Sequence, residues 1–232
     1  MSVGRIFLSV CSYLTLCITA FGASLPCIQP GTERWPVKTS LPAGAPTKTM
    51  TLADALNLSK LTELTDVAKD DKRYQNTRIL DQPVKEDTLV TISGYLYLVG
   101  FESDDCDFHI QISPQPRTST NPATKDDTCI IVEVPSGQYA TGIADQVEGV
   151  RQWVIDNLLG KTEPKIGSVH VMQHPVYVTV TGALFYDDAH TYLANGGTGR
   201  GKKGMESNTL WELHPVTSIA FAPAPPASPP SH

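Results

Sequence analysis

The chain has 232 residues, room for one domain with a full core plus extensions, and its 41% hydrophobic and 18% charged residues are those of an ordinary globular protein. A formal charge of −6 counts against a general polyanion binder, because affinity for nucleic acid rests mostly on Lys and Arg neutralising phosphates.

At the N-terminus Arg5 precedes an uncharged apolar run over 6–21, and Ala20-Phe21-Gly22 closes it with small residues flanking Phe21. This pattern predicts a secretory signal peptide over residues 1–23, cleaved near Gly22 or Ala23. The run is shorter than the ~20 residues of a spanning helix, which disfavours a membrane anchor. Pro26 before Cys27 disfavours lipid attachment. The expectation is a soluble protein in the periplasm or medium, and losing Arg5 takes its charge from −6 to −7. Export permits disulfides. Cys11 and Cys17 leave with the signal, so Cys27, Cys106 and Cys129 remain, enough for one internal bridge. Cys106 and Cys129 each open a predicted strand, which sets them ~20 Å apart in an antiparallel pair. A disulfide needs Cα atoms ~4.4–6.8 Å apart. No Cys106–Cys129 bond is expected, and Cys27 could reach either partner.

Residues 24–87 read as a Pro-rich leader with one short helix. Pro26, Pro30, Pro36, Pro42 and Pro46 mark extended or disordered chain. The stretch 51–59 predicts a helix capped by Thr51, with Leu52, Ala55 and Leu56 on one face. Residues 60–87 are polar and expected to lie against the main domain, which spans 88–222. Its first strand is 89–99, rich in β-branched and aromatic residues, with Gly94 as the expected bulge or bend. The second, 106–113, turns Phe108, Ile110 and Ile112 inward and Asp107, His109 and Gln111 outward. A polar loop leads to the third strand, 129–134. Ile143, Val147, Val150, Val154 and Leu158 then recur at helical spacing, predicting a helix over 143–159 that ends at Gly160. The fourth strand is 175–186, with a central Gly182, and a Gly-rich loop over 187–208 leads to the fifth, 209–222. There Trp211, Leu213, Thr217, Ile219 and Phe221 face one way, and Glu212, His214, Val216 and Ser218 the other. Residues 223–232 form a low-complexity Pro-rich tail.

Three strands, a helix and two strands are the order of an OB-fold, an all-β five-stranded Greek-key barrel with one helix. An open α+β sandwich of the same elements is the runner-up. The expected core holds Val90, Ile92, Leu96, Phe108, Ile110, Ile112, Trp211, Leu213 and Ile219. Asp107-Phe-His109-Ile, Cys129-Ile-Ile-Val-Glu-Val-Pro135, Val178 to Asp187 with Ala189-His190, and Trp211-Glu-Leu-His-Pro-Val216 together resemble a family of exported bacterial proteins of unknown function. The resemblance covers about residues 86–220, with Glu-Leu-His-Pro-Val its most specific piece. It implies an OB-like barrel in the cell envelope and no established activity. Cys129 and the Gly- and Lys-rich loop before the fifth strand depart from that pattern.

The outward residues Asp107, His109, Glu133, Glu212 and His214 combine imidazole and carboxylate, the ligand types of zinc or manganese and of acid/base pairs. In OB order the third strand separates the second from the fifth, so their side chains start ~10 Å apart. A single four-ligand site is then improbable unless a bulge or twist swings one pair round, with Glu133 able to bridge. Structural hydrogen bonding at strand ends is the favoured role. The loop Gly196 to Lys203 nearly spells a phosphate-binding loop, but Lys203 replaces the metal-binding Ser/Thr and no helix follows. Arg200, Lys202 and Lys203 remain candidates for contacting an anionic ligand. No Gly-x-Ser-x-Gly elbow occurs, and no catalytic residue or cofactor is assigned. His170 and His174 are expected at the surface. The leading reading is a non-enzymatic binding module of the cell envelope that takes a glycan or a protein on the outer face of strands two, three and five with the flanking loops, through Asp107, His109, Glu133, Glu212, His214, Arg200, Lys202 and Lys203. A metal-dependent hydrolase built on the outward His and carboxylate residues is the rival, and a nucleic-acid-binding OB-fold the third choice.

Overall fold

The computed structural model describes residues 34–41, 43–58, 86, 88–187, 189–190, 192–194 and 197–225, and the backbone alone at 78–79 and 82–83. The expected signal peptide, the first part of the leader, most of 59–87 and the tail beyond 225 lie outside the described residues. In chain order the elements are α1 (Trp35–Lys38), β1 (Thr47–Thr49), α2 (Leu52–Leu56), β2 (Arg78–Ile79), β3 (Gln82–Pro83), β4 (Leu89–Phe101), β5 (Phe108–Ser113), β6 (Thr128–Val134), α3 (Ala144–Leu158), β7 (Val169–Tyr186), β8 (Gly201–Lys202) and β9 (Met205–Phe221). No helix among them is long and apolar enough to cross a membrane.

Five strands close on themselves in the order β4-β5-β6-β9-β7, and β7 returns to β4. Every pairing in this ring is antiparallel except β6–β9, which is parallel. With α3 between the third and fourth barrel strands, this is the OB-like barrel expected from the element order. All nine predicted core residues are buried, and α3 adds Val147, Val150, Val154 and Leu158 to the same apolar cluster.

Three details differ from the expected pattern. First, the leader is docked from residue 34 onward. Thr51 caps α2 in a capping box with Asp54, and Met50, Leu52, Ala55, Leu56 and Leu58 join the barrel core. β1 pairs in parallel with the start of β4, beside the stretch that β5 does not reach. Second, the β4 irregularity falls between Leu96 and Leu98, not at Gly94. Gly94 instead permits close packing, since a Cβ there would lie 2.6 Å from Ile112 Cγ2 and 2.8 Å from Leu52 Cδ2. Third, strict alternation fails in β9. Leu213 pairs with Leu184, Val216 with Gly182 and Ser218 with Thr181, so β9 carries extra residues on both sides of Gly182. The two bulges turn Leu213, Val216 and Ile219 inward at intervals of three. Val216 is therefore in the core, while Phe221, the last residue of β9 and paired with Val178, is exposed against Trp153.

Candidate functional site

Asp107, His109, Glu133, Glu212 and His214 all point out of the barrel, yet every one is buried. What covers them is α1 of the leader and the loop between β7 and β9. Arg34 donates to the Tyr186 carbonyl and pairs with Glu86, and its guanidinium carbon lies 4.7 Å from the Phe185 ring centroid. Lys38, one turn on, places its ammonium 5.4 Å from the same centroid. From the other side Arg200 reaches inward to Asp187 at 2.9 Å, to Glu133 at 3.3 Å and to Glu212 at shorter range. Gly201 follows it at φ +125°, where a Cβ would strike the Met205 carbonyl, and this lets β8 fold back on β9.

His214 is the centre of the cluster. Its Nδ1 lies 3.2 Å from both Glu133 Oε2 and Glu212 Oε1, and its Nε2 lies 3.2 Å from Asp107 Oδ2. Glu133 also bridges to His109 Nδ1 at 3.1 Å. The second and fifth barrel strands thus do meet through side chains, against the separation expected from flat-sheet spacing. Asp107 lies one residue before β5, following Cys106 at φ 61°, and the β9 bulge begins at His214. Both features swing side chains toward the intervening strand. The groups bond to one another instead of setting strand ends through loop backbone.

The electrostatics follow from burial. Burial alone would lower the His214 pKa, but Asp107, Glu133 and Glu212 hold it well above the usual histidine value. Burial would raise Glu133, but bonds from His109 and His214 and the charge of Arg200 hold it well below the usual carboxylate range. Asp107 is raised by burial, with Glu133 adding to the effect. Asp105 is pushed up to about 7 by burial and by Asp107 and Glu133. Lys38 stays above its ordinary value against the pull of burial because Glu212, Glu133, Asp187 and Asp105 surround it. Glu102, which takes Lys202 at 2.6 Å, completes a set of six carboxylates, and the permanent cations facing them are Lys38, Arg200, Lys202 and, beside Asp107 and Asp105, Arg151. Protons on His214 and on the raised Asp105 and Asp107, or another cation, balance the rest.

Of the residues expected to bind a ligand, the five His and carboxylate side chains are brought together and Arg200 is turned in among them. Lys202 is held by Glu102, and Lys203 lines a shallow recess of about 300 Å³ with Lys125. His170 and His174 are exposed, as expected. Asp105, Asp187 and Lys38 were not singled out by pattern. Asp187 carries a local signal in its partner His190, 2.7 Å away. Lys38 stands in proline-punctuated chain that offers none. Cys106 is in a disulfide and Cys129 is a buried free thiol, so the two are not joined.

A second surface lies on the opposite wall. Three cross-strand pairs of β4 and β7 face outward: Thr91 with Thr181, Ser93 with Thr179, and Tyr95 with Tyr177. The hydroxyls of the first two pairs are 2.9 and 2.6 Å apart, and the tyrosine rings meet edge to face at 4.9 Å. All six residues are half-buried. Recesses of about 430 and 480 Å³ flank the tyrosine pair and share it as a common wall. Comparison with family models, with curated proteins and with solved structures finds no match.

Proposed function

We propose that the protein is a non-enzymatic binding module of the cell envelope and that it takes a glycan on the hydroxyl-and-tyrosine strip of β4 and β7. The carrying observation is the pair of recesses on either side of Tyr95 and Tyr177. Tyrosine offers an apolar ring for the C–H faces of a sugar and a polar tip for its hydroxyls. The neighbouring Thr and Ser hydroxyls both donate and accept, which suits a ligand made of hydroxyls. The strip itself carries no charge, consistent with a neutral chain. The expected signal peptide supports the location, and OB-folds include oligosaccharide binders.

The face of β5, β6 and β9, first expected to bind, supports this reading less well. His109, Glu133, Glu212 and His214 bond within the cluster, and the whole face lies beneath α1 and Arg200. The same burial leaves a hydrolase there without a route for substrate. Binding of the mature protein to chitohexaose and to purified peptidoglycan sacculi tests the proposal, with Tyr95→Ala and Tyr177→Ala as variants. Each variant should weaken binding about fivefold or more, taking one aromatic stacking contact as on the order of 1–3 kcal/mol by analogy with base stacking. Equal binding by wild type and both variants would reject the site.

A further inference from the structure

The buried cluster holds a group whose hydrogen bonding is incomplete. Asp107 is fully buried, and neither of its carboxylate oxygens has a hydrogen-bond partner among the described residues. His214 Nε2 is also without one: it approaches Asp107 Oδ2 to 3.2 Å, but not in hydrogen-bonding direction. The opposite nitrogen, Nδ1, does have a hydrogen-bond contact, with Glu212 Oε1 at 3.2 Å, and Glu212 is itself fixed by Arg200. The ring is therefore oriented from behind by a carboxylate and presents its other nitrogen to Asp107. This is the arrangement by which a carboxylate fixes the tautomer of a metal-binding imidazole.

One donor atom each from Asp107, Glu133 and His214 lies within 4.8 Å of the other two, and all three residues are buried. Ligands ~2.0–2.2 Å from a zinc ion stand roughly 3.0–3.5 Å from each other; Asp107 Oδ2 is 3.2 Å from His214 Nε2, while Glu133 Oε2 is 3.2 Å from Nδ1, so Glu133 has to turn past the ring edge to complete the set. Burying a carboxylate with incomplete hydrogen bonding is costly even with the His214 ring 3.2 Å away and Arg151 nearby, and a bound cation would lower that cost. We infer that Asp107, Glu133 and His214 form a divalent transition-metal site, zinc by its mix of one imidazole and two carboxylates. The site is structural, and its three protein ligands leave the fourth tetrahedral position to a trapped water. It ties the entry of β5 to β6 and β9 under α1, and Glu212 and Arg200 act as its positioning residues. Burial of all three ligands gives substrate no route to that fourth position.

The test is metal content and zinc titration of the untagged mature chain, followed by chelator treatment and calorimetry. The expected result is one zinc per chain after purification with zinc, its loss on chelation, and a rise in unfolding temperature when zinc is restored. Asp107→Asn keeps the side-chain volume and should abolish stoichiometric binding. Glu212→Gln should weaken binding about 10–100-fold, as loss of an orienting partner does. His174→Ala, an exposed histidine outside the cluster, should leave it unchanged. Circular dichroism of Asp107→Asn separates lost binding from lost fold, and the wild-type stoichiometry stands without any variant. Absence of bound zinc, with no shift in unfolding temperature on adding it, would overturn the assignment and leave protons as the source of the missing charge. Zinc binding unaffected by Asp107→Asn in a folded variant would overturn the placement.

Discussion

Arg200→Met is the sharpest perturbation of the buried cluster. The substitution keeps an unbranched side chain of similar reach and removes a guanidinium that is 9% exposed and contacts Asp187, Glu133 and Glu212. Breaking a buried ion pair by removing one partner costs about 3–5 kcal/mol, because the remaining charge stays out of water. For a chain of this size that corresponds to a fall of about 6–20 °C in unfolding temperature. Urea unfolding with chelator present measures the loss directly, and the double variant Arg200→Met/Glu212→Gln measures how much comes from stranding Glu212. The double variant should be more stable than the two single losses predict, with a coupling of about 0.5–3 kcal/mol. A loss below about 1 kcal/mol in the single variant is the value of an exposed pair and would refute the idea that Arg200 neutralises a desolvated cluster.

Gly94→Ala places a Cβ 2.6 Å from Ile112 Cγ2 and should cost about 1–3 kcal/mol of unfolding free energy; a neutral result in chemical denaturation would contradict the close packing. Burial pushes the Cys129 thiol up to about 12, so iodoacetamide should label it only after unfolding, and rapid labelling of the native protein would contradict that. Non-reducing peptide mapping should recover Cys106 linked to a cysteine other than Cys129, with Cys27 the one left after signal cleavage. His190 donates to Asp187, which holds its pKa above the usual 6.5, while against burial that bond and Arg200 hold Asp187 below 3.8. Their stabilisation is therefore present between those two ordinary values, fading as pH rises through the raised His190 pKa and as it falls through the depressed Asp187 pKa. His190 is half-exposed although Asp187 is buried, so the stability gap between wild type and His190→Ala should stay below about 1 kcal/mol and close at alkaline pH. A gap that widens there would contradict the assignment.

Much of the barrel is legible because period-two strands and a period-3.6 helix are properties of single segments. Phe108, Ile110 and Ile112, and α3 with its bounds, follow from spacing alone. The β9 bulges do not, since Leu213, Val216 and Ile219 share a face only through their pairing with Gly182. Trp211-Glu-Leu-His-Pro pointed to Glu212 and His214, which the structure brings together with Glu133, while their burial stayed invisible. Burial depends on Arg200 arriving from one loop and Arg34 and Lys38 from the leader, far apart in sequence. The hydroxyl-and-tyrosine strip was equally hidden: Tyr95 and Tyr177 become neighbours only when β4 pairs with β7 in one register.

The most direct test of the proposed function is residue-resolved NMR of the mature protein titrated with chitohexaose. Saturable amide shifts centred on Thr91 to Tyr95 and Tyr177 to Thr181, spreading to the recess residues Thr49, Leu52 and Phe221, are the predicted result. Shifts confined to the loop from Gly199 to Glu206, or none at ligand concentrations in the millimolar range, would contradict it.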